Sequence, residues 1–184
     1  MDHYQDIRVL PDPEFSEPML MAALFAKLHR ALAAHGQGNI GVSFPGMQRT
    51  PGAVLRLHGS HKTLAELQES GWLKGLRDYT GIGPLQAVPT GAQHRTVSRV
   101  QVKSSAERLR RRSVSKGWLT DAQAREKIPM ANEQRSSLPF ITLKSLSTGQ
   151  SFRLFLKQGE LQAVPIEGSF SFYGLSASAT VPWF

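Results

Sequence analysis

Apolar and polar residues alternate from the first few positions of the chain. "HYQDIRVL" (3–10) has the period of two that sets one face of a strand on a core. In "EPMLMAALFAKLHRALAAHG" (17–36) the period changes. Leu20, Leu24, Leu28 and Leu32 recur every fourth residue, which predicts a helix with one buried stripe, stopped at Gly36. "NIGVSFP" (39–45) and "AVLRLHG" (53–59) read as strands, "HKTLAELQESG" (61–71) as a second helix, and "LQAVP" (85–89), after "GIGP", as another strand. This order, βαββαβ, is the ferredoxin-like arrangement, expected over residues 1–93.

"GAQH" (91–94) reads as a boundary, with a smaller α+β domain over 94–184. "RTVSRVQVK" (95–103) is expected as a strand with Val97, Arg99 and Gln101 on one face. A helix over 105–116 follows, capped by Ser104 or Ser105 and stopped by Gly117. "TDAQAREKI" (120–128) reads as a short helix capped by Thr120 or Asp121. "FITLKSLSTGQSFRLFLKQG" (140–159) reads as a hairpin turning at "STGQ", and "LQAVP" (161–165) and "SFSFYG" (169–174) as two more strands. The fold class is therefore α+β. The repeated pentapeptide is read as coincidence.

Charge changes this picture in one place. Of 184 residues, 22 are Lys or Arg and 14 Asp or Glu, a net charge of +8. Residues 1–94 carry eight of each sign, 95–116 carry eight basic and one acidic, and 117–184 carry six and five. The excess is thus confined to the segment holding the third helix. At about 100° per residue, Arg108, Arg111, Arg112, Ser115 and Lys116 share a face, and Leu109 and Val114 offer little to bury. A solvated helix face is the plain reading of a charge run. One sign with almost no counter-charge points instead to a polyanion, a nucleic acid above a membrane surface, because an interfacial helix needs an apolar face.

Composition removes other classes. There is no cysteine, hence no disulfide or thiolate metal site, and a cytoplasmic protein is expected. No apolar run is long enough to span a membrane, and the acidic, polar start does not read as a signal peptide. His58 and His61 lack partners for a metal, and no cofactor motif is present. The aromatic signature of the usual four-stranded RNA module is also missing. Four candidate side chains for chemistry remain. His29 reads either as a half-buried histidine on Phe25 and Leu32 or as a base near neutral pH. Ser145 and Ser147 are turn-flanking serines that share a side, and Tyr173 is most simply a strand tyrosine. A polyanion binder with histidine and hydroxyls suits RNA cleavage by the substrate's own 2′-hydroxyl.

Several long stretches carry a resemblance: "MDHYQDIRV", "LFAKLHRAL", "IGVSFP", "WLKGLRDY", "VSRVQVKS", "ERLRRR", "LPFITLKSLSTGQSFRLF", "YGLS" and "VPWF". Nearly end to end, the chain resembles the CRISPR-associated endoribonucleases of subtype I-F, which cut the repeat hairpin of precursor CRISPR RNA. The resemblance implies a metal-independent cleavage leaving a 2′,3′-cyclic phosphate and a 5′-hydroxyl. The product hairpin would be retained in an effector complex with other subunits. By the same resemblance, His29 is the catalytic histidine, Ser145 holds the attacking hydroxyl, and Tyr173 orients the histidine. Ser147 contacts RNA near the cut, Arg99 and Gln101 read bases at the foot of the hairpin, and Phe152 stacks on its terminal pair. The basic helix, with Arg108, Arg111, Arg112 and Lys116, lies in the groove of the stem. Two departures stand out. "SVSKG" (113–117) interrupts the family's basic run, and "PGMQRTPGA" is shorter than its counterpart. The alternative is an RNA-hairpin-binding subunit of a ribonucleoprotein that does not cleave.

Overall fold

The computed structural model describes residues 1–35, 37–101, 106–128, 137–145 and 147–184. The expected stop at Gly36 and caps at Ser104 and Ser105 lie outside the described residues. The fold is α+β and begins with a strand. The chain forms two compact units, one of residues 1–100 and 138–184 and one of residues 101–137. His94, where the sequence suggests a boundary, lies in a strand of the larger unit.

In the larger unit the elements are β1 (His3–Val9), α1 (Glu17–His35), β2 (Gly41–Ser43), β3 (Val54–Gly59), α2 (His61–Glu69) and β4 (Thr80–Ile82). They form a sheet of order β2-β3-β1-β4, antiparallel at every pairing. The strand expected at 85–89 shrinks to β5 (Gln86–Ala87), which also pairs with β1. "GIGP" explains the split: β4 leaves β1 at Gly83–Pro84, and the Gly83 carbonyl takes a hydrogen bond from Gln5 Nε2 (2.9 Å) instead of from the ladder.

Period two decides what each sheet face meets. Ile7, Val9, Val42, Leu55 and Leu57 are buried on one face, with Leu20, Leu24, Leu28 and Leu32 of α1 and Leu64 and Leu67 of α2 in the same core. The buried exception, Gln5, is satisfied by Gln68 Nε2 (2.6 Å) and Gly83. Tyr4, Asp6, Ser43, Arg56 and His58 point the other way. The C-terminal segment covers this second face. A Cβ on Gly41 would lie 2.6 Å from Val181 and 2.9 Å from Phe170. Arg56 forks onto Asp6 (2.6 and 2.9 Å) beneath the rings of Tyr4 and Phe184. A sheet covered on both sides offers no open platform for stacking bases, consistent with the absence of the aromatic signature.

β6 (Gln93–Arg95) pairs with β10 (Val181–Trp183). β7 (Val97–Val100), β8 (Phe140–Lys144) and β9 (Ser151–Gln158) form a second sheet, order β7-β9-β8, whose Val97, Ile141, Leu143, Leu154 and Leu156 join the core. The hairpin expected over 140–159 is therefore present. The strands expected at 161–165 and 169–174 are not. The first is reduced to one bridge, His94 with Gln162, and the second is a turn. Alternation in "SFSFYG" gives way because the Ser171 hydroxyl and Gly174 close the chain on itself.

The smaller unit holds α3 (Ala106–Ser115) and α4 (Asp121–Lys127). Gly117 stops α3 as expected. At φ 69° its N–H reaches Val114 O (2.9 Å) and the Trp118 N–H reaches Ser113 O (2.9 Å), a Schellman ending. Thr120 caps α4 with a full capping box to Gln123. Among the described residues, no helix is long and apolar enough to cross a membrane.

Candidate active site and nucleic-acid interface

His29 sits one turn after Phe25 on α1, beside the buried leucine stripe and half-buried itself. Its Nδ1 lies 3.0 Å from the carbonyl oxygen of Phe172. A carbonyl only accepts, so Nδ1 is the donor and the neutral ring keeps its lone pair on Nε2. The ring also lies flat on Tyr173, centroids 4.0 Å apart and planes 8° apart. Tyr173 in turn lies nearly parallel to Phe25, at 5.9 Å and 13°. Hydrogen bond and stack together fix the position and the tautomer of the imidazole.

Both restraints come from one turn. The Gly174 N–H donates to Ser171 O (2.8 Å) and the Ser171 N–H to Leu175 O (2.9 Å), while Ser171 Oγ accepts from the N–H groups of Tyr173 (3.3 Å) and Leu175 (3.4 Å). Gly174 is at φ 69°, and a Cβ there would meet Val42 at 2.6 Å. Only glycine fits both demands. Beside the turn opens a cleft of about 390 Å³, lined by His29, Ser98, Arg99, Tyr173 and Ser176 among others. Sequence periodicity had no means of finding the Phe172 carbonyl, 143 residues from its partner.

Ser145 and Ser147 occupy the β8–β9 turn with their hydroxyls 3.1 Å apart. Ser145 Oγ accepts from the Thr148 N–H (3.3 Å), and its backbone closes the turn on Gly149 and Gln150. Ser145 is not among the residues lining the His29 cleft. Arg99 lines that cleft and holds its guanidinium 5.7 Å from the ring of Phe152, which is half-buried on β9. Gln101 is exposed.

The cations of 95–116 divide by what they touch. Arg95 is spent on the fold: it donates to Gly159 O (3.0 Å) and Gln158 Oε1 (2.9 Å) over the ring of Trp183, and burial lowers its pKa. Arg110 donates to Ile128 O (2.8 Å) and ties α3 to the end of α4. Arg111, Arg112 and Lys116 are exposed, and Arg112 lies 6.0 Å from the exposed ring of Trp118. The Arg108 side chain lies outside the described residues. Arg110, the arginine of "RLRRR" omitted from the common face, makes this bond to the end of α4.

A second histidine contrasts with the first. His58 is fully buried, its Nε2 2.8 Å from Ser43 Oγ, and Nδ1 has no hydrogen-bond partner among the described residues. Burial first, then the nearby Arg56, lowers its pKa to about 3. Its serine–histidine contact resembles an activated nucleophile, but no substrate reaches it. His61 instead meets His3 edge-on at 5.2 Å. Among the described residues, no three His, Cys, Asp or Glu side chains gather as metal ligands.

Residues 4–184 match the family model described as CRISPR-associated protein (Cas_Csy4). The chain is 60% identical over 184 residues, the full length of both, to "CRISPR-associated endonuclease Cas6/Csy4" of Escherichia coli (strain UTI89 / UPEC). It is 49% identical over 187 residues, again the full length of both, to the protein of the same name from Pseudomonas aeruginosa (strain UCBPP-PA14).

Proposed function

The chain belongs to the CRISPR-associated Cas_Csy4 family, and from that premise we propose that it is a metal-independent endoribonuclease that cuts the repeat hairpin of precursor CRISPR RNA. The observation that carries this reading is the His29 Nδ1 contact with the Phe172 carbonyl. It leaves Nε2 as the proton acceptor in the cleft, the tautomer a general base needs. In the mechanism, His29 takes or relays the proton of the 2′-hydroxyl beside the scissile phosphate. Ser145 holds that hydroxyl, and Tyr173 keeps the imidazole in plane. The oxygen attacks phosphorus, the 5′-oxygen leaves, and the products are a 2′,3′-cyclic phosphate and a 5′-hydroxyl. Because the nucleophile is part of the substrate, alignment supplies much of the rate.

Arg99 and Phe152 lie together where the foot of a hairpin would meet the His29 cleft, and Gln101 extends that base-reading segment. Ser147, beside Ser145, contacts RNA near the cut. Arg108, Arg111, Arg112 and Lys116 face phosphates of the stem. The product stays bound and enters an effector complex with other subunits in the cytoplasm. The sheet order β2-β3-β1-β4 with its two helices supports a ferredoxin-like arrangement for the part that carries His29.

One observation favours a second reading, a hairpin-binding subunit that does not cleave: Ser145 does not line the cleft of His29. Incubation with the repeat RNA in excess chelator separates the two. Cleavage to a cyclic phosphate, with an RNA carrying one 2′-deoxy substitution upstream of the cut bound but intact, supports the enzyme. A shifted, uncut native RNA supports the binder. Cleavage of the deoxy substrate means that water attacks, and overturns the roles given to His29 and Ser145.

A further inference from the structure

We propose that Trp118 is a stacking platform for an unpaired base of the RNA, at the C-terminal end of the basic helix. The proposal rests on the reading that the chain binds an RNA hairpin, and adds to it a residue and a kind of contact. Of the three tryptophans, Trp72 is buried at 8% exposure and Trp183 supports Arg95, whereas Trp118 is 65% exposed. It is the most exposed of the Phe, Tyr and Trp residues among those described. Burial of so large a ring is normally among the strongest sources of stability, so its position in solvent calls for a partner.

The charge around it selects the partner. Arg112 on α3 and Lys116 just past its end lie one turn apart, both exposed, and the Arg112 guanidinium is 6.0 Å from the indole centroid. That distance is at the outer limit of a cation–π contact, so it holds the ring loosely and leaves most of it open. An apolar protein surface would have to strip water from these cations. A nucleotide presents a phosphate to them and a π-face to the indole together. Stems are recognised through phosphates, whereas aromatic side chains take unpaired bases.

The ring is also presented on a fixed backbone. The Schellman ending holds the Trp118 N–H on Ser113 O, and the capping box of α4 begins two residues later at Thr120. A platform held between two capped helix ends loses little freedom when a base settles on it. Trp118 follows directly on "SVSKG", which holds a single cation, Lys116, after the arginines at 110–112.

Binding of a repeat stem-loop, made uncleavable by one 2′-deoxy substitution at the cut, tests this by anisotropy with wild-type, Trp118→Ala and Trp118→Phe proteins. Trp118→Ala should weaken binding roughly 5- to 150-fold, the range for loss of one stacked base, while Trp118→Phe stays within about threefold. Abasic substitutions placed in the loop in one RNA and in the flanking strand in another identify the base. In one of the two, wild-type and Trp118→Ala should bind equally weakly. Wild-type binding with Trp118→Ala unchanged, or a loss that neither abasic RNA abolishes, overturns the proposal and in the second case points to a role in the fold. Failure of wild-type to bind any stem-loop overturns the RNA-binding reading itself, and this proposal with it.

Discussion

The cleft around His29 and the helix pair at 106–128 are built on opposite principles. His29 is half-buried, and its ring is held by a backbone carbonyl and a stacked tyrosine that themselves rest on core residues. The helix pair has one buried residue among those described, Ala124, and is held by local bonds: a Schellman ending, a capping box, the Arg110–Ile128 tie and an Asp121–Arg125 pair at 3.0 Å. On the proposed reading His29 moves a proton, which needs a fixed position and tautomer, and its carbonyl and stacked tyrosine supply them. On the same reading the helix meets phosphates, which needs its charge in solvent and rules deep packing out.

Substitution of His29 should break the comparison furthest. His29→Ala is expected to slow cleavage by at least about 10²-fold while a gel still shows the shifted hairpin. A loss of binding in step with cleavage would mean that the cleft serves affinity. The converse is Arg111→Gln with Arg112→Gln. If each meets one phosphate, affinity near 0.15 M salt should fall roughly ten- to thirtyfold, and the slope of log affinity against log salt should flatten by about 0.7–0.9 per contact. An unchanged slope would return the helix to a merely solvated face.

His58 probes the packing of the larger unit. Its folded pKa of about 3 lies below the ordinary 6.5, so the unfolded chain binds the proton more readily. Stability is full above pH 6.5 and falls as pH drops, by about 1.4 kcal/mol per unit until pH nears 3. Denaturant titrations at pH 7.5 and 5.5 should show this loss in wild-type and a flatter response in His58→Gln. Equal slopes would show that His58 is not the group responsible. Least disruptive should be Thr120→Ala, which removes one cap. It should lower the stability of the helix pair by about 1 kcal/mol, read as faster hydrogen exchange in α4 with protection in α1 unchanged.

The two regions also differed in how far the sequence revealed them. In the helix pair nearly everything is local, so Gly117 and Thr120 marked both ends and the helical face left Arg110 aside. In the larger unit, periodicity found β1, α1, β3, α2 and the β8–β9 hairpin, because each buries one face. It misread 169–174 as a strand, since the same alternation serves a turn closed by Ser171 and Gly174. It also had no access to the partners of His29, which depend on a tertiary contact rather than on spacing. His29, Tyr173 and Arg99, which the resemblance singles out, line one cleft. Ser145, singled out by the same resemblance, lies in a turn outside that lining.

The span between His29 and Phe172 also sets an order of events during synthesis. At about 5–20 residues per second, the ribosome adds the intervening 143 residues in roughly 7–30 s. Through that interval the nascent chain has its first helix, and then its cationic helix, but no carbonyl to fix the imidazole. The cationic helix therefore emerges before the carbonyl that fixes His29, and on the reading proposed above a chain stalled between the two would hold transcripts without processing them.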